Sequence, residues 1–155
     1  MQFGIRDEEF IRGKVPMTKA EIRAMVMVKA GIRPEDRVAD IGAGTGSISI
    51  EAALAASKGE VYSIERNPEG IRLIEENAEK FGLKNIHTIK GVAPAAMDGL
   101  PPLDVVIIGG SSGNMHEILD RAEELLPKGG RMVLTAVTAE TTGEVVREFE
   151  NRPFA

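Results

Sequence analysis

A chain of 155 residues is the size of one domain and can bury about two thirds of the surface its unfolded form exposes. Its 19 Lys and Arg against 24 Asp and Glu give a formal charge of −5, which is not the basic footprint of a nucleic-acid binder; with no cysteine, thiolate catalysis, disulfides and Cys-ligated metal are excluded. No apolar run approaches the roughly 18 residues of a membrane span, and residues 1–12 carry three acids without an apolar signal core, so the expectation is a cytoplasmic protein working apart from membranes and nucleic acid.

The charge is uneven, +2 over residues 1–37 and −7 over residues 38–155. Arg6, Arg12, Lys14 and Lys19 therefore form either a solvated face or a lure for an anionic substrate. After an irregular start to Met17, Thr18-Lys19-Ala20-Glu21 matches a capping box, with Thr18 as N-cap. The helix that follows carries an apolar stripe on Ile22, Met25, Val26 and Ala30 and stops at Gly31. Val38 to Ile41 reads as a buried strand, Ser47 to Ala56 as a helix and Glu60 to Ile64 as a strand. Asn67-Pro68 opens a helix that ends at Gly82. Ile86 to Ile89 and Leu103 to Ile108 are strands, Asn114 to Leu126 a helix, Arg131 to Val137 a strand and Thr141 to Glu150 the last helix. The methionines are spread as core filler.

Strands alternating with helices of about ten to fifteen residues predict an α/β fold, a doubly wound and mostly parallel sheet with helices on both faces. One domain, 1–155, is expected, with an N-terminal loop and helix (1–36) ahead of the α/β core (37–155). In such sheets ligands bind beyond the carboxyl ends of the strands, which directs attention to residues 42–46, 65–68, 91–97 and 109–114.

The sharpest motif is Asp40-Ile41-Gly42-Ala43-Gly44-Thr45-Gly46, where a strand hands over to a helix. Glycines there allow a tight turn and close approach of backbone to ligand, and the helix start offers N–H groups. The spacing is G-x-G-x-G with an acid before it, whereas the dinucleotide fingerprint is G-x-G-x-x-G and here places Ser47 at its third glycine. A pyrophosphate is disfavoured beside Asp40, while a sulfonium amino acid with its own ammonium group is not, which tilts the cofactor towards S-adenosylmethionine. Glu65, at the end of the second strand, can accept both hydroxyls of a ribose.

With these residues the chain resembles the class I S-adenosylmethionine-dependent methyltransferases from Val38 to Val137. Val15-Pro16-Met17-Thr18-Lys19, Ile108-Gly109-Gly110-Ser111, and Leu134 to Thr141 after Lys128-Gly129-Gly130 narrow the resemblance. They are similar to the cobalamin-biosynthesis family of decarboxylating precorrin carbon-15 methyltransferases. The resemblance implies that Gly42, Ala43, Gly44, Thr45 and Gly46 wrap the methionine part of the cofactor, Glu65 the ribose and Ala93 the adenine side. Thr18 matches a cofactor-contacting threonine of the family. It also implies methylation of a precorrin at carbon 15 with loss of the carbon-12 acetate carboxyl, an anionic tetrapyrrole substrate and a homo-oligomer, a tetramer. The glycine- and serine-rich loop after the fourth strand, with Gly110, Ser111 and Ser112, can admit a flat macrocycle and donate to its carboxylates.

Three features depart from the family pattern or bear on its chemistry. Gly91-Val92-Ala93 stands where the superfamily has Gly-Asp-Ala, so a polar contact to adenine is lost or made by backbone. Family members continue with two further strands, and this sequence stops at Ala155, so five strands are expected in place of seven, leaving the last one as an edge. No Ser/His/Asp pattern is present and no metal-ligand spacing occurs. The meso carbon of a reduced tetrapyrrole is electron-rich enough to need positioning more than a base, so no catalytic residue is assigned. His116, at a helix start, is a solvated residue or a proton donor, and His87 is structural. The other readings are a small-molecule or RNA methyltransferase, a nicotinamide-type oxidoreductase, which Ser47 and Asp40 disfavour, and a non-catalytic nucleoside-binding module.

Overall fold

A computed structural model of the protein describes residues 3–154. After a 3-10 turn at Asp7–Glu9, its elements are α1 (Ala20–Ala30), β1 (Arg37–Ile41), α2 (Ser47–Ala55), β2 (Glu60–Glu65), α3 (Pro68–Lys80), β3 (Ile86–Lys90), β4 (Val105–Ile108), α4 (Met115–Leu125), β5 (Arg131–Leu134) and α5 (Ala139–Glu150). The five strands are parallel, in the order β3-β2-β1-β4-β5. This is the doubly wound α/β sheet expected from the alternation of elements. The strand order reverses between β1 and β4, so their exit loops part and open a crevice at the carboxyl ends.

The period of two along each strand divides the core. Ala39, Ile41, Val106 and Ile108 face α4, packing on Met115, Ile118, Leu119 and Ala122. Val38, Val61, Val105 and Ile107 face the other side, against Val26, Met27 and Ala30 of α1 and Ile48 and Ala52 of α2. All four residues of β4 are buried, as a central parallel strand covered on both faces requires.

Three local expectations are corrected. Thr18 does not cap α1: Lys19 is the N-cap and no side chain caps the helix. The Thr18 carbonyl accepts instead from the guanidinium of Arg23. The expected apolar stripe holds at Val26 and Ala30, which are buried, but not at Ile22 and Met25, which are 46% and 60% exposed while Arg23 is wholly buried. Burial of that charge is possible because Glu51 and Asp7 pair with it at 3.1 and 2.9 Å, and the Phe10 ring lies 4.6 Å from the guanidinium carbon. Near the other end, β5 stops at Leu134, not at Val137. Thr135 still donates to the Ile108 carbonyl, but β4 turns away at Gly109, so residues 136 and 137 have no strand to join and Val137 is 98% exposed. Thr138 then caps α5 by accepting from the Thr141 N–H.

Candidate functional site

At the end of β1 the chain turns through Gly42 to Gly46 into α2. Gly42 has φ 72°, and a Cβ on it would stand 2.8 Å from the backbone nitrogen of Gly110, so glycine alone lets the exit loops of β1 and β4 meet. The loop's own N–H groups are largely engaged. Gly42 and Ala43 donate to the Ile64 carbonyl at 2.9 and 3.0 Å, Gly46 donates to Ala43 at 2.9 Å, and Gly44 donates to Glu65 Oε2 at 2.7 Å. The other carboxylate oxygen of Glu65 accepts from the N–H groups of Arg66 and Asn67, both at 2.8 Å. One side chain thus ties the glycine loop to the start of α3.

Asp40 lies under this loop, 1% exposed. Ser49 Oγ donates to it at 2.5 Å and Ser63 Oγ donates to Ser49 at 2.7 Å. Burial pushes the Asp40 carboxyl up to about 6, opposed by the Ser49 hydrogen bond and helped by the charge of Glu65. Asp40 is not among the cavity-lining residues. Its carboxyl is held in the core by Ser49, which Ser63 supports in turn.

A cavity of about 180 Å³ opens at the carboxyl ends of β1 to β4. It brings together Gly42, Glu65, Ala93, Gly110, Ser111 and Ser112 of the expected residues. Asn114 Nδ2 joins two of its walls by donating to the Ala93 carbonyl at 3.1 Å. Thr18, Ala43, Gly44, Thr45 and Gly46 do not line it; Thr45 is buried and Gly46 packs on Ile74, so both act on the site by shaping the loop. Arg66, Gly91 and Val92 also line the cavity, within the strand-end loops 65–68 and 91–97 already singled out, and Ile41 and Ile64 line it too. These last two were missed, each being the chain neighbour of an expected residue at a strand end. Val92 turns outward, 40% exposed, and puts an apolar wall where the carboxylate of the usual pattern would be.

The basic N-terminal group divides in two. Arg6 is paired with Glu8 and Glu9, and Lys19 with Asp7, whereas Arg12 and Lys14 have no ion-pair partner among the described residues. His116 is bonded to Glu148 at 3.0 Å and pairs with Asp120, away from the cavity; these acids, Glu148 foremost, raise its pKa. His87 stacks on Tyr62 and meets Glu60 at 2.6 Å. No helix among the described residues is long and apolar enough to cross a membrane, and no three-residue cluster of metal-ligating side chains occurs among them.

A parallel sheet of this order, with its glycine loop after β1 and an acid at the end of β2, is the Rossmann-like arrangement that class I methyltransferases share with dinucleotide-binding domains, and the relatives decide between them. A family described as a precorrin methyltransferase domain matches residues 9–152, and the chain belongs to that family. It is 42% identical over 137 residues to the cobalt-precorrin-6B C(15)-methyltransferase (decarboxylating) of Salmonella typhimurium, covering 88% of this chain and 70% of that one. A precorrin-6Y C5,15-methyltransferase from Geobacter metallireducens superposes with a TM-score of 0.94 at 37% identity, over 99% of this chain and 82% of that one. The precorrin 8W decarboxylase of Methanobacterium thermoautotrophicum gives 0.91 at 36% identity, over 97% and 82%. Membership of a methyltransferase family implies use of S-adenosylmethionine.

Proposed function

We propose that the protein transfers a methyl group from S-adenosylmethionine to carbon 15 of a precorrin and removes the carboxyl of its carbon-12 acetate. The observation that carries the cofactor half is the state of the glycine loop. Four of its N–H groups are bonded within the protein, and the carboxylate of Glu65 borders the cavity. A pyrophosphate would find few free donors and a like charge, while a ribose diol and a sulfonium amino acid suit such a wall.

Glu65 then accepts from the ribose hydroxyls, Val92 and Ala93 flank the adenine, and Gly42 borders the methionine moiety, with the loop to Gly46 shaping that wall from behind. S-adenosylmethionine supplies an electrophilic methyl group on sulfur. The chain's own part is to align the nucleophilic carbon with that methyl and to exclude water. Gly110, Ser111 and Ser112 hold the macrocycle edge-on to the cavity, with the hydroxyls of Ser111 and Ser112 donating to its carboxylates, since the Gly110 N–H is taken by the Ile41 carbonyl. The substrate is thus an anionic tetrapyrrole, and neither nucleic acid nor membrane enters the reaction.

Thermal unfolding with and without S-adenosylhomocysteine, and separately with NAD, tests the cofactor. A ligand at about 100 times its dissociation constant adds about 2.7 kcal/mol, or about 5–10 °C for a chain of this size. A shift with the homocysteine compound alone is expected. A shift with NAD alone overturns the reading. Turnover of a precorrin with release of carbon dioxide tests the rest.

A further inference from the structure

The segment from Phe3 to Lys19 crosses the outer side of α2 and α3 as a strap with few bonds of its own, and buried side chains of the core hold it. The Gly4 and Ile5 N–H groups donate to the two oxygens of Glu51 at 2.9 and 3.0 Å. The Arg23 guanidinium donates to the Ile5 and Thr18 carbonyls. Farther along, the Lys14 N–H donates to Glu69 Oε1 at 2.7 Å. Val15 and Pro16 then reach the glycine loop: a Cβ on Gly44 would lie 3.4 Å from the Pro16 oxygen and 3.7 Å from Val15 Cγ1.

Between these anchors sits Asn77 of α3, wholly buried. Its Oδ1 accepts from the Ile11 N–H at 2.8 Å, and its Nδ2 donates to the Ile11 carbonyl at 3.1 Å and to the Thr45 carbonyl at 3.2 Å. Both amide protons and the acceptor are spent, and they are spent on two different segments. An aspartate would set an oxygen against two carbonyls, and an apolar residue would leave Ile11 and Thr45 without partners in a buried place.

We propose that Asn77 is a positioning residue that couples the strap to the cofactor loop, so that cofactor binding at the loop and closure of residues 11–18 over it reinforce each other. The proposal rests on the cofactor reading above. Because one amide holds Ile11 and Thr45 together, any ligand that stiffens the loop stiffens the strap, and freeing the strap weakens the ligand by the same factor.

Amide hydrogen exchange and S-adenosylhomocysteine titration on the full chain test this, with Asn77→Ala and Glu69→Ala. Glu69 lies at the surface end of the strap and its removal leaves the core intact, which keeps the test usable if Asn77→Ala does not fold. In the wild type, S-adenosylhomocysteine should slow exchange at Ile11 and Lys14. Asn77→Ala should abolish that slowing and weaken affinity about tenfold, and Glu69→Ala should weaken it about threefold, the scale of one or two lost hydrogen bonds. Faster exchange of the strap with affinities within twofold of the wild type overturns the coupling, as does strap exchange in the wild type that ignores a bound ligand. A wild type that binds no S-adenosylhomocysteine defeats the cofactor reading itself and the coupling with it.

Discussion

Glu65 carries more than a ribose contact requires, since its two oxygens already hold the N–H groups of Gly44, Arg66 and Asn67. Replacing it with Ala should therefore weaken S-adenosylhomocysteine by about 1.5–3 kcal/mol, the range for hydrogen bonds to a charged group, and should also loosen the glycine loop. Calorimetric titration checks the first effect, and unchanged affinity would remove Glu65 from the site. Asp40 behaves differently. Its carboxyl is raised from 3.8 to about 6 by burial, so between those values the native state holds a proton the unfolded state has lost. Stability from this group is full below about pH 4 and declines as pH rises through about 6. Asp40→Asn should abolish that decline and stabilise the protein near pH 7.5 by about 2–3 kcal/mol. Urea unfolding of both proteins at pH 4.5 and 7.5 measures it; parallel pH dependences would contradict the assignment. Neither property could be read from the sequence, where Asp40 and Glu65 are two acids near strand ends; the register puts both on one face of the sheet, with Asp40 one residue inside the end of β1 and Glu65 the last residue of β2.

At the scale of elements, α1 shows how a periodic pattern misleads. Ile22, Met25 and Val26 match the template of a core stripe, but a paired Arg23 takes the inner position and leaves Ile22 and Met25 outward. Its partners Asp7 and Glu51 lie 16 and 28 residues away, outside any local window. Arg23→Ala should cost about 3–5 kcal/mol, the usual result of stranding one side of a buried pair. It should release the strap before the rest unfolds, seen as loss of amide protection confined to residues 4–18. Loss spread evenly over the sheet would contradict this role. Elsewhere local signals sufficed. Pro68 at the first position of α3, with Asn67 accepting from the Glu69 N–H, is a helix start written in adjacent residues. The early end of β5 was not legible, because a strand ends where its neighbour leaves, and the turn at Gly109, just after β4, decides that.

For the whole molecule, the alternation of five strand and helix segments led to the right architecture because parallel strands need crossovers and only a few topologies accommodate them. Association between copies is the proposal at this scale. Ile22, Met25 and Val28 expose 46%, 60% and 66% of their surface at three-residue intervals along α1, an apolar ridge of the kind that a second copy can cover. Sedimentation at micromolar concentration should give an oligomer, a tetramer, and Met25→Glu should dissociate it; a wild-type monomer would discard the idea.

The sequence by itself determined the order of elements, the glycine turn after β1 and the acid at the end of β2, because turn chemistry, period and strand-to-helix handover are local and leave marks in neighbouring residues. Only the tertiary structure decided that Ile41 and Ile64 border the cavity, that Asp40 lies beneath the loop and not along the cavity wall, and that Asn77 binds the strap and the loop at once. Those facts depend on which residues from distant segments share a desolvated space, where an unpaired polar group costs more than any local preference can recover.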